Sequence, residues 1–169
     1  TRRQLLKLAA LLAACEGASL KAEEAACHLR LSRREATHLR LALQALEAPL
    51  WRTTGEPGPA AIYRYYRQAG EAGVNGAILA AWAQPPEGRK AKAARLLILA
   101  WFTQQGTIIE PKPLLNGREI AQAFGLSLGP RLGDLLEALR EAQAAGQVRD
   151  RIEAWRYIRR IVEGASHPD

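Results

Sequence analysis

Apolar residues in this chain recur at intervals of three and four over most of its length, and almost nowhere at intervals of two. Leu5, Leu8 and Leu12, then Ala26 and Leu29, then Leu39, Leu43 and Leu46 follow that rule, with Lys, Arg and Glu between them. An α-helix brings such positions to one face, so a chain of this kind buries its apolar side only by packing helix on helix. The spacing predicts an all-α fold, with a multi-helix body packed against a smaller helical tail. The one β-branched run, Thr107-Ile108-Ile109, is followed by Pro111 and Pro113 and is expected to form an extended linker. The expected division is a helical body over 1–108 and a helical tail over 109–169.

Punctuation refines the elements. Gly17 to Ser19 break the first helix, and a second is expected from about Lys21 to near Leu31. Ser32 with Glu35 three residues later forms a capping box for a third, which runs to Pro49. The stretch TTGEPGP at 53–59 cannot continue a helix. Helices are expected over 60–68, 74–84 and 91–104, separated by Gly70 to Gly73 and by Pro85-Pro86. Beyond the linker, Asn116 is placed to cap a helix ending at Phe124. Gly129-Pro130 opens another to about Ala145, and a last one covers Ile152 to Val162.

With 169 residues and 48% apolar content the chain can bury a core. No run of about 18 apolar residues occurs, and Lys7 and Glu16 interrupt the apolar start. A membrane partner is therefore not expected, and a cytoplasmic location is. Cys15 and Cys27 have no further Cys or His-Cys cluster nearby, so reduced, half-buried thiols are expected in place of a disulfide or a zinc site. The absence of Met fits a fragment of a longer protein.

Charge points to the partner. The net charge is +7, and the basic excess is spread along the chain: 8 basic against 5 acidic residues in 1–50, 7 against 4 in 51–110, 9 against 8 in 111–169. Arg supplies 19 of the 24 basic residues, and its planar fork suits bidentate phosphate contacts. A polyanion is the expected ligand.

Two places could hold it. Gly129 stands where a helix begins and Pro130 at its first position, so the amides of Arg131, Leu132 and Gly133 would point outward as an anion site. Arg131 adds a full charge, and Gly133 would admit a close backbone approach. The alternative is a tight turn between packed helices. In the body, Arg64 and Arg67 are three residues apart and share one helical face, while Tyr63 and Tyr66 form a second. Aromatic residues among basic ones can stack on bases, but at helical spacing they are more often core.

The tail, PKPLLNGREIAQAFGLSLGPRLGDLLEALREAQAAGQV, carries a PLLxGR motif at Pro113 to Arg118, GPRxG at Gly129 to Gly133 and EAQxxG at Glu141 to Gly146. This ordered set resembles the tail of bacterial tRNA nucleotidyltransferases and poly(A) polymerases of the CCA-adding type. Residues 57 to 74, PGPAAIYRYYRQAGEAGV, are similar to a body segment of the same family. The resemblance implies a body and tail that hold the acceptor and TΨC arm of tRNA, with Lys112, Arg118 and Arg131 facing RNA backbone. It also implies a separate catalytic head domain as a partner, using magnesium with CTP or ATP, and no cofactor in this chain.

Catalytic groups are not evident. The N-terminal part resembles the family's degenerate HD-type segment, but Ala13 and Ala14 stand where the His-Asp pair would be, and a methyl group neither ligates a metal nor activates water. Nucleotidyl transfer needs paired carboxylates for two metal ions, and Asp134, Asp150 and Asp169 lie too far apart in sequence to form an Asp-x-Asp motif. His28 and His38 stand alone on charged helices and are expected to be solvated or satisfied in the core. A competing assignment makes 21–46 a DNA-reading helix-turn-helix, with Arg33, Arg34, Thr37 and His38 directed at a major groove.

Overall fold

The computed structural model describes residues 2–15, 17–82 and 84–164. Among the described residues there are nine α-helices and two short helical turns, and no strand. The fold is all-α. It divides into two compact units, Thr1–Gln104 and Gln105–Asp169.

The first unit holds α1 (Arg2–Ala13), α2 (Ala18–His28), α3 (Arg33–Leu46), α4 (Pro59–Ala69), α5 (Ala72–Trp82) and α6 (Arg89–Thr103). Helix α3 is its centre, packed against α1, α2, α4 and α5, because Leu39, Ala42, Leu43 and Ala45 supply a nearly continuous buried side. Its capping box forms: Ser32 Oγ accepts the Glu35 N–H, and the Glu35 carboxylate takes the Ser32 N–H at 3.0 Å. Helix α2 starts and ends about three residues earlier than its apolar spacing suggested. Its end is set by N–H groups of Arg30 and Leu31 that return to the carbonyls of Cys27 and Ala26, with Arg30 in the left-handed region at φ 51°. Both thiols are exposed, not half-buried: Cys15 lies in the turn after α1, and Cys27 is beside, not on, the Ala18-Ala22-Ala26 stripe that faces inward.

Helix α5 is built from small residues, and that brings helices close. A methyl on Gly76 would stand 2.5 Å from the Ala45 Cβ and 3.0 Å from the Ala42 carbonyl oxygen. Around this contact lie three buried rings with satisfied polar ends. Trp51 Nε1 donates to the Ala45 carbonyl at 2.6 Å, Tyr65 Oη to Gly73 at 2.7 Å and Tyr66 Oη to Leu97 at 2.8 Å. Burial pushes both phenols well above their ordinary pKa, so they remain proton donors. Tyr63, Tyr65 and Tyr66 are all buried, which makes this aromatic face core. The 53–58 connection is tied down by Arg89, whose guanidinium donates to the carbonyls of Trp51, at 2.8 Å, and Thr53.

In the second unit, α7 (Gly117–Phe124), α8 (Pro130–Ala144) and α9 (Arg151–Gly164) surround a core of Leu115, Ile120, Leu132, Leu135, Leu139 and Ile158. The segment expected to be extended is instead a wide helical turn, Gln105–Ile109, in which the Glu110 N–H reaches back to the Gln105 carbonyl at 2.7 Å. Ile108 and Ile109 are buried, and the turn packs against α8. Burial of two isoleucines, worth roughly 1.5–3 kcal/mol each, outweighs a β-branched preference for extended backbone that is at most about 1 kcal/mol.

Asn116 caps α7 as its position predicts: Asn116 Oδ1 accepts the Glu119 N–H at 2.9 Å, and Glu119 Oε2 takes the Asn116 N–H at 2.8 Å. Glu119 also meets Arg151 at 2.7 Å. The bond from the Asn116 N–H and then that from Arg151 hold the Glu119 carboxyl below its usual range. Its folded value being depressed, the associated stability is present at neutral pH and is lost as pH falls through that value. Asn116→Ala is expected to cost about 1 kcal/mol, measured as a lower urea midpoint with an unchanged slope.

Candidate nucleic-acid interface

The start of α8 differs from those of α3 and α7. Gly129 is extended at φ −177° and provides no side-chain cap, Pro130 occupies the first turn, and that turn has no acidic residue. Gly133 is not available as a third outward donor, because its N–H returns to the Gly129 carbonyl at 3.2 Å. The amides of Arg131 and Leu132 precede this first helical bond, at the positive end of the helix dipole. Added Cβ atoms at Gly129 and Gly133 would meet nothing within 4 Å, so neither glycine is demanded by packing inside the protein. Arg131 is exposed beside them.

Arg118 is exposed on the first turn of α7. That turn lies against α8, since a methyl on Gly117 would come within 3.2 Å of Leu136 and 3.5 Å of Leu132. Arg118 and Arg131 are thus carried by neighbouring elements. Lys112 is exposed but distant from them along the unit: Gln143 Nε2 donates to its carbonyl at 2.8 Å. Gln143 is in the last turn of α8, roughly 18 Å along the helix axis from Arg131 at 1.5 Å per residue.

In the first unit Arg64 and Arg67 are exposed on α4, opposite its tyrosine face. They open on different hollows. Arg64 lines one of about 310 Å³ with Leu50, Thr53 and Ala61, and Arg67 lines one of about 670 Å³ with Arg33, Arg34 and Thr37. His28 is exposed, its Nδ1 2.9 Å from the Glu24 carbonyl oxygen. His38 is half-buried, with Nε2 3.0 Å from Asn75 Nδ2 on α5. With the asparagine amide nitrogen as donor, the ring Nε2 is the acceptor. Desolvation lowers its pKa, opposed by Glu71 and aided by Arg2 and Arg34. In a helix-turn-helix reader His38 would reach outward to a base edge; here it turns toward α5.

Ala13 and Ala14 are exposed at the end of α1. Asp134 is exposed on α8, Asp150 Oδ1 accepts the Glu153 N–H at 2.8 Å as the cap of α9, and Asp169 lies outside the described residues. No group of three or more His, Cys, Asp or Glu among the described residues is arranged to hold a metal ion. No described helix is long and apolar enough to cross a membrane. Sequence reasoning did not find the pairs Arg2–Glu71, at 2.6 Å, His38–Asn75 and Glu119–Arg151. Each joins residues from different helices or turns, and no local pattern announces such a pair.

No protein-family model and no solved structure matches the chain. Over 159 residues, 94% of the chain, it is 33% identical to a CC-adding tRNA nucleotidyltransferase of Geobacter sulfurreducens, of which this stretch covers 35%. A 53-residue stretch, 31% of the chain, is 45% identical to an A-adding tRNA nucleotidyltransferase of Deinococcus radiodurans, covering 12% of it. A 47-residue stretch, 28% of the chain, is 45% identical to a CC-adding tRNA nucleotidyltransferase of Thermus thermophilus, covering 11% of it. The chain spans about a third or less of the length of these curated relatives. Partial similarity of this kind, repeated across three such enzymes, supports kinship with the tRNA nucleotidyltransferases.

Proposed function

We propose that this chain binds tRNA without catalysing nucleotide transfer, holding the acceptor and TΨC arm so that the RNA 3′ end reaches a catalytic head domain of a longer protein. The observation that carries this reading is the 33% identity along 94% of the chain to a nucleotidyltransferase of which only 35% is matched. The α8 start supports it: open glycines, uncapped amides and Arg131 offer hydrogen-bond donors and positive charge to a phosphate, with Arg118 on the adjoining helix. Arg64 and Arg67 would contact the same backbone from the first unit, and Lys112 a more distant stretch. Magnesium with CTP or ATP would be held by the head and not by these residues, and recognition would depend on RNA shape more than on sequence. The setting would be cytoplasmic.

Filter binding with labelled tRNA tests the reading. Binding is expected at about 50 mM salt and should weaken steeply toward about 200 mM. Arg131→Glu is expected to reduce affinity about tenfold, or roughly 1.4 kcal/mol. Undetectable binding at the lower salt, or a preference for a duplex DNA sequence over tRNA, would overturn it.

A further inference from the structure

Two hollows of the first unit, of about 280 and 670 Å³, share Arg34, His38 and Glu71 and form one open cleft along α3. The cleft contains two acidic side chains, and both are engaged. Glu71 Oε1 is 2.6 Å from the Arg2 guanidinium, and Glu35 Oε2 accepts both the N–H and the O–H of Ser32, at 3.0 and 2.7 Å. Arg33 and Arg34 are exposed and make no ion pair with any described residue. Arg67 enters from α4, Thr37 offers a hydroxyl, and Leu41 and Ala72 give the cleft an apolar flank. His38 sits against Asn75 at the inner wall.

Four guanidinium groups, those of Arg2, Arg33, Arg34 and Arg67, stand against the two carboxylates of Glu35 and Glu71, so the cleft carries an excess of positive charge that repels cations, and a neutral solute gains little from it. An oxyanion matches the planar guanidinium forks. We propose that this cleft is a phosphodiester-binding site for RNA, with Arg33 and Arg34 gripping the phosphate and His38 at its inner wall. The proposal rests on the tRNA-binding reading above and adds an anchor in the first unit, distinct from the α8 start.

The site has a pH signature. The charged groups around His38 are Arg2 from α1, Arg33, Arg34 and Glu35 from α3, Arg67 from α4 and Glu71 from the turn before α5. A bound phosphodiester adds negative charge and favours the imidazolium, so RNA raises the His38 pKa. Binding then takes up a proton and tightens as pH falls through that range.

Fluorescence anisotropy with labelled tRNA and the full 169-residue chain tests the proposal. The R33A/R34A double variant should bind at least about tenfold more weakly, with the salt dependence reduced by about one to two phosphate equivalents. T37E, which brings a carboxylate to the cleft, should weaken binding similarly, and circular dichroism checks that both variants remain helical. NMR titration of the imidazole signals, with the His38 signal assigned through H38Q, should show its pKa rising when tRNA is added. If the unaltered chain does not bind tRNA, both the functional reading and the cleft fail. If it binds and neither R33A/R34A nor T37E weakens binding, the cleft alone is overturned. A His38 pKa unmoved by bound tRNA removes the phosphodiester from the inner wall and overturns the proposal as stated.

Discussion

Tyr66→Ala is expected to destabilise the first unit by about 3–5 kcal/mol, while Tyr66→Phe should cost only about 1 kcal/mol. The ring is buried, 5.0 Å from the Tyr65 centroid and 4.9 Å from that of Trp101, and its hydroxyl joins α4 to the Leu97 carbonyl of α6. Removing it opens a cavity among large, rigid rings that cannot collapse to fill it. Removing the hydroxyl leaves the packing intact and loses one hydrogen bond. Since domain stabilities are about 5–15 kcal/mol, the alanine variant should show a greatly lowered denaturation midpoint by circular dichroism. A Tyr66→Ala loss no larger than that of Tyr66→Phe would mean that the ring is not core. The residue also bears on the proposed tRNA contact, because seating the tyrosine face inward is what turns Arg64 and Arg67 outward on the same helix.

The second large effect is expected at Gly76. Alanine is the better helix former by about 1 kcal/mol, so an exposed site would gain from Gly→Ala. Here the new methyl would stand 2.5 Å from Ala45 Cβ and 3.0 Å from both the Ala42 carbonyl oxygen and Tyr65 Oη. Neither a Cβ nor a backbone oxygen can yield without moving a helix. The separation of α3 and α5 must grow, loosening Leu39, Leu43 and Leu79, which share one buried cluster. We expect a net loss of about 2 kcal/mol, within the range for overpacking, measured by urea denaturation. The compensating variant Ala45→Gly should recover part of that loss when combined with Gly76→Ala. A double-mutant cycle showing no coupling between the two positions would remove close helix approach as the cause.

These positions also show how legible the protein was in its sequence. Ser32 with Glu35 and Asn116 with Glu119 could be read directly, because a capping box is made by residues three apart and needs no partner from elsewhere. The helices on either side followed from apolar spacing. Tyr63 and Tyr66 of α4 could be favoured as core on the same ground, whereas the burial of Tyr65 was not read from the sequence. Gly129-Pro130 as a helix start is equally local, and so is the exposure of Arg131.

Other features depend on which surfaces meet. Thr107-Ile108-Ile109 has the composition of an extended segment, yet α8 offers an apolar surface on which two isoleucines gain more by burial than they lose by turning. Gly76 and Gly117 look like helix weaknesses until the facing Ala45 and Leu136 are known. His38 looks isolated until α5 brings Asn75 to its ring, and the α3 cleft needs α1, α4 and α5 around it before its arginines share one space. By itself, then, the sequence determined the all-helical class, the capped helix starts and the arginine-rich surface chemistry, since these rest on short-range periodicity, hydrogen bonding and charge. The tertiary structure decided which small residues are contacts, which polar pairs form and where the basic groups gather, because those depend on the packing of helices far apart in the chain.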